Sequence, residues 1–171
     1  MRALVALLIV LLLLAALVLI ASPASAQDTH TAWTPEHRSI ADGLSTALVG
    51  MQIGSDVLKA WKSPQRRDAL LCKLLTIGAS VGVAEAMKHA VNKTRPDGSD
   101  NLSFPSEHTM LATSSRQTHG WAMAASVSIA FSTAYFRTAA DKHDTVDVSA
   151  GAAIGEGIRQ MISLTPWCQA R

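Results

Sequence analysis

Three spaced groups of polar residues follow one another along this chain: Lys88-x6-Arg95-Pro96, Pro105-Ser106-Glu107-His108 and Arg137-x5-His143-x3-Asp147. They supply three cations, two imidazoles, a hydroxyl at an expected helix start, and a carboxylate four residues beyond a histidine. Such a set can grip a phosphoryl dianion and transfer it without a metal. His143 and Asp147 stand one helical turn apart, so the carboxylate lies beside the ring, fixes its tautomer and leaves the outer nitrogen free to attack phosphorus. His108, near a helix start, is the candidate general acid that protonates the leaving oxygen and then activates water. Ser106 and the amides of Glu107 and His108 form a helix N-terminus suited to phosphate oxygens. Arg95 and Arg137 offer planar forks and Lys88 a point charge. Three cations gathered without paired acids would be costly unless an anion lay between them.

Taken singly, each of these residues has an ordinary reading: a surface i,i+4 pair for His143 and Asp147, a plain cap for Ser106, solvated side chains for the cations. The order and spacing favour the chemical one. His89 and His119 make no metal-ligand spacing, and no cofactor or metal is expected. Asp97, Asp100 and Asn101 lie between the first two groups and read as a polar loop that could screen substrates.

The elements that must position these groups are helical. Thr34-Pro35 and Ser63-Pro64 each place a hydroxyl before a proline, predicting helices over 35–61, with an interruption near Gly50 and Gly54, and over 64–92. Pro96 and a Pro/Gly/Asp/Asn/Ser stretch make 94–104 a loop. Ser106 caps a third helix to about residue 116, Gly120 breaks it, and helices over 121–137 and 146–162 follow. No strand-like alternation appears, so the expected class is all-α, a compact up-and-down bundle of about five helices with its site at one end. The hairpin from His108 through Gly120 to Arg137 descends and returns over comparable lengths, which brings all three groups to that end.

The chain has 171 residues. Residues 1–26 read as a signal peptide, with Arg2, an apolar run over 3–20 and a small-residue site at Ala24-Ser25-Ala26. An uncleaved anchor at 3–20 is the alternative. Either places residues 27–171, one phosphatase-like domain, outside the cytoplasm, periplasmic or secreted. Fifteen Lys and Arg against thirteen Asp and Glu leave no basic excess for nucleic acid. Apolar stretches broken by Lys73, Glu85 and Lys88 suggest a soluble bundle, with peripheral membrane association as the alternative. Cys72 and Cys168 are expected to pair at the end away from the site: Cys72 lies 16 residues, about 24 Å, before Lys88 on one helix, and Cys168 follows the last descending helix.

The three groups resemble the motifs of the type-2 phosphatidic acid phosphatase and vanadium haloperoxidase superfamily, K-x6-R-P, P-S-G-H and S-R-x5-H-x3-D. The matching stretches are KHAVNKTRP, FPSEH and FRTAADKHDTVD, followed by an Ala/Gly-rich VSAGAAIG helix. The resemblance implies an all-helical core and metal-independent hydrolysis of a phosphomonoester or pyrophosphate, with a small-molecule or lipid phosphate as substrate. It implies a phosphohistidine on His143, His108 as acid, and phosphate held by Lys88, Arg95, Ser106 and Arg137. Two positions depart from the pattern. Glu107 replaces the family glycine and puts a carboxylate beside the anion pocket, and Phe136 replaces a serine. Two other functions remain open: vanadate-dependent halide peroxidation in the same pocket, and a non-catalytic anion-binding module.

Overall fold

A computed structural model describes residues 33–117 and 120–169; the expected leader at 1–26 and His119 lie outside them. The fold is an all-α bundle. Its helices are α1 (Pro35–Lys62), α2 (Arg66–Val91), α3 (Glu107–Ser114), α4 (Gly120–Ala139), α5 (Thr145–Ser163) and a terminal turn, α6 (Pro166–Gln169). There is no strand among the described residues.

Helix α1 begins as expected, with Thr34 accepting from the His37 amide and Pro35 at the first position. It then runs unbroken through Gly50 and Gly54. Each glycine costs about 1 kcal/mol against alanine, but the stripe Ala41, Ser45, Val49, Gln52, Asp56 and Ala60 is buried along its whole length, and packing of that face outweighs the local cost. Ser63 does not cap α2. It ends α1, and Gln65 takes the N-cap position with no side-chain bond. Helix α2 closes at Asn92, whose left-handed backbone (φ 51°) lets its amide reach the Lys88 carbonyl.

Short α3 lies inside the bundle and packs chiefly on α5. That approach depends on two glycines one turn apart. A Cβ on Gly151 would stand 2.4 Å from the Ser106 carbonyl oxygen, and one on Gly155 2.4 Å from that of Met110. Around this crossing Phe104, Met110, Ala84, Ala150, Ile154 and Ile158 form the buried apolar cluster. Fully burying side chains the size of Phe104 and Met110 contributes about 1.5–3 kcal/mol each. The Cys72–Cys168 disulfide ties α2 to α6 with a Cα separation of 5.8 Å.

Outside, the bundle carries many large apolar side chains. Leu71, Leu74 and Leu75 on α2, and Trp121, Phe131 and Tyr135 on α4, are exposed. Among the described residues α2 alone has the length and mean hydropathy of a helix able to cross a membrane.

Candidate active site

All three sequence groups meet at one end of the bundle. Lys88 closes α2, Arg95 stands in the loop after it, Glu107 and His108 open α3, Arg137 is near the end of α4, and His143 and Asp147 flank the start of α5.

His143 is at the centre, 3% exposed. Its Nδ1 lies 2.6 Å from the Ser103 carbonyl oxygen, which can only accept, so Nδ1 carries the hydrogen and Nε2 the lone pair. That lone pair faces two guanidinium groups, with Arg137 NH2 at 3.2 Å and Arg95 NH1 at 3.4 Å. The sequence reading gave the tautomer-fixing role to Asp147. The carboxylate is instead 3.7 Å from Nδ1, close enough to add charge, while the backbone carbonyl makes the hydrogen bond. Burial, then Arg137 and Arg95, push the His143 pKa down to about 4 against the pull of Asp147.

Asp147 has no exposed surface. Lys93 Nζ donates to it at 2.8 Å, the Asp144 amide at 3.1 Å, and the Ser103 hydroxyl also donates to it. Burial alone would raise its pKa, but the contacts from His143, Lys93 and Ser103 outweigh that and hold it at about 2. Asp144 caps α5 through the amides of Val146 and Asp147, while the Asp147 side chain accepts from the Asp144 amide. This reciprocal capping box anchors the carboxylate. Lys93 bridges Asp144 (2.6 Å) and Asp147.

His108 contacts the Thr46 hydroxyl of α1 through Nε2 at 3.2 Å. Thr46 gives its one hydrogen to the Asp42 carbonyl at 3.1 Å, so it accepts from His108 Nε2–H. Burial first and Arg137 next depress the His108 pKa to about 4. Ser106 is fully buried, yet its side chain makes no cap bond. Its hydroxyl pairs with that of Thr109 at 3.1 Å, and its amide donates to the Asp147 carbonyl at 3.0 Å.

The cations are not free of acids, contrary to the sequence expectation. Lys88 Nζ is 2.5 Å from Glu107 and 2.6 Å from Glu85. Burial disfavours its charge, but those two carboxylates raise its pKa. Arg95 Nε is 2.7 Å from Asp100, and Arg137 NH1 is bonded to Asp42. Glu85 and Asp100 are local partners, three residues before Lys88 and five after Arg95, whereas Glu107 and Asp42 come from separate helices and motif spacing could not reveal them. Arg137 Nε is buried without a hydrogen-bond partner among the described residues. In the loop, Asp97 holds Lys142 at 2.6 Å, and Asn101 accepts from Thr94. His89 is exposed and 3.8 Å from Glu85, away from the cluster.

The contributors that went unread in the sequence are Asp42, Thr46, Glu85, Lys93, Ser103 and Asp144. Lys93 sits inside the first motif, and its charge could have suggested a partner for Asp147. Ser103 acts partly through its carbonyl, which no sequence pattern marks. No family model, curated protein or solved structure matches the chain.

Proposed function

We propose that this chain is a metal-independent phosphohydrolase of the type-2 phosphatidic acid phosphatase and haloperoxidase superfamily. It would cleave a phosphomonoester or pyrophosphate outside the cytoplasm. The observation that carries the reading is the His143 lone pair, aimed by the Ser103 carbonyl between two guanidinium forks. A phosphoryl group there meets donors for its oxygens and an unprotonated nitrogen at once. His143 Nε2 attacks phosphorus, the P–O bond to the leaving group breaks, and the leaving oxygen takes a proton from His108 in its imidazolium form. The bound phosphoryl dianion favours that form by offsetting the Arg137 and Lys88 charges that lower the His108 pKa in the free protein. Water then gives a proton to His108, restoring its imidazolium, as the water oxygen attacks phosphorus; the P–N bond breaks with its electron pair returning to His143 Nε2, and inorganic phosphate leaves. Arg95, Arg137 and Lys88 hold the equatorial oxygens. Asp147 supports the imidazolium character that develops at His143.

A largely apolar cavity of about 590 Å³ runs between α3, α4 and α5, lined by Thr109, Phe131, Ala134 and Val148 and reaching Arg116 and Glu156; Thr109 and Val148 directly follow His108 and Asp147 in the chain. It supports a leaving group with an apolar portion, hence a lipid phosphate, and the exposed leucines of α2 support association with a membrane surface. The disulfide supports an oxidising compartment.

Turnover of a chromogenic phosphate ester with EDTA present, inhibited by vanadate and lost in His143→Ala, is the expected result. An acid quench during turnover should trap phosphate as an acid-labile adduct on His143. Ester panels spanning lipid, isoprenyl, sugar and nucleotide phosphates identify the substrate. The acid paired with every motif cation favours one second reading, a non-catalytic charge cluster. It predicts neither turnover nor vanadate binding, whereas vanadate-dependent bromoperoxidation would mark the oxidoreductase alternative.

A further inference from the structure

Helix α1 has no part in the sequence motifs, yet two of its residues one turn apart face the site: Asp42 bonds Arg137, and Thr46 bonds His108. The Asp42–Arg137 pair is unequal. Arg137 is anchored, with a side chain only 6% exposed, whereas that of Asp42 is 40% exposed. The buried guanidinium cannot leave, and the carboxylate can turn to water at small cost. Burial depresses the Arg137 pKa most, and Asp42 is the first charge that opposes it. Asp42 therefore supplies the negative charge that a phosphoryl oxygen would otherwise bring, at the same guanidinium whose NH2 touches His143. Asp42 occupies Arg137 Nη1 while Nη2 faces His143, so the nitrogen that the carboxylate yields is the one next to the nucleophile's contact, where a phosphoryl oxygen can take it.

We propose that Asp42 is an internal counter-anion that exchanges with the phosphoryl group on Arg137. It weakens the hold on phosphate and so promotes release of the product dianion. The proposal rests on the phosphohydrolase reading and deepens it. A carboxylate beside a bound dianion opposes substrate, product and vanadate alike, so its removal tightens all three in parallel. Its half-exposed position screens the effect by solvent, and about tenfold is the expected size.

Asp42→Asn keeps an oxygen to orient Arg137 and removes the charge; Asp42→Ser serves as a second variant, both checked by thermal unfolding. Ki for inorganic phosphate as a competitive inhibitor, Kd for phosphate by calorimetry, and KM for the chromogenic ester are measured on the full chain. The expected result is that all three fall about tenfold in both variants, while Asp42→Glu stays near wild type. A residue that merely positions Arg137 would give the reverse, weaker phosphate binding on charge removal. Constants that rise or stay within twofold, in a wild type that turns over, overturn the role of Asp42 and leave the hydrolase standing. Phosphate binding tightened by Asp42→Asn without turnover supports the counter-anion and overturns the hydrolase. Absence of both turnover and phosphate binding in wild type and variants overturns both.

Discussion

A neutral imidazole attacks phosphorus only where one nitrogen is tied down and the other presents its lone pair, and at His143 the Ser103 carbonyl does the tying. Deleting the ring in His143→Ala should lower kcat by about 10⁴ or more with little loss of fold, as for other covalent nucleophiles; retained wild-type rates would sink the mechanism. The pH behaviour follows from the lowered values of about 4 at His143 and His108. In the free protein both rings should titrate near 4 by NMR, well below the ordinary 6.5, and the acid limb of kcat/KM should follow His143 downward. A bound phosphate dianion offsets Arg137 and Lys88, so saturating phosphate should raise the His108 value; a ring titrating at 6.5 in the free protein contradicts this picture. Stability carries the same sign. The unfolded chain binds protons at these histidines first, so stability is full above 6.5 and declines as pH falls toward 4. Asp147 adds a further loss as pH falls from 3.8 through about 2. Lys93→Met tests the buried triad. It leaves Asp144 and Asp147 facing each other without their cation, and should cost roughly 3 kcal/mol or more in denaturant unfolding. Much of this was beyond reading from the chain. Motif spacing marked His143, His108 and the cations, but the partners that arrive from distant elements, Asp42 on Arg137 and the Ser103 carbonyl on His143, come through the fold.

At the level of elements, the site exists because α3 can press its first turn against α5. Pro96, Gly120 and the capping residues punctuate the sequence enough to read the helices and their common end. The depth of the α3–α5 crossing was not readable, since a Gly/Ala-rich helix signals close packing without naming what packs there. Nor was the continuity of α1, where two glycines argued for a break and only tertiary burial argued against it. Gly151→Ala examines the crossing directly. Its Cβ would meet the Ser106 carbonyl oxygen at 2.4 Å, a backbone atom that cannot rotate away, so α3 must shift. The same Ser106 donates its amide to the Asp147 carbonyl, so the shift separates His108 and Glu107 from the His143–Asp147 pair. The variant should lose about 1–3 kcal/mol of stability and a larger share of kcat than of KM. Gly157→Ala, where a Cβ meets nothing within 4 Å, is the matched control and should gain about 0.5–1 kcal/mol from helix propensity. Equal stability of the two variants would show that α3 accommodates the methyl group.

Across the whole molecule, the chemistry lies at one end and the covalent tie at the other. Cys72 precedes Lys88 by more than four turns on α2, about 24 Å along the axis, and Cys168 belongs to the turn that follows α5. The bridge joins residues 96 apart, so it restrains most of the unfolded chain while touching none of the catalytic groups. The chain-entropy account gives such a loop about 4 to 5 kcal/mol, an upper figure because native strain subtracts from it. Cys168→Ser should therefore lower the unfolding midpoint in denaturant substantially, and kcat and KM measured well below that midpoint should stay near wild type. Reduction of the wild type should reproduce the variant's stability, which separates loss of the bond from any local effect of the serine. The outcome also bears on where the protein works. Expression in a reducing compartment should yield the less stable form, and oxidation in vitro should recover the difference. Two free thiols in the denatured, unreduced protein, or a midpoint unmoved by reductant, would show that the helices hold this end together without the bond.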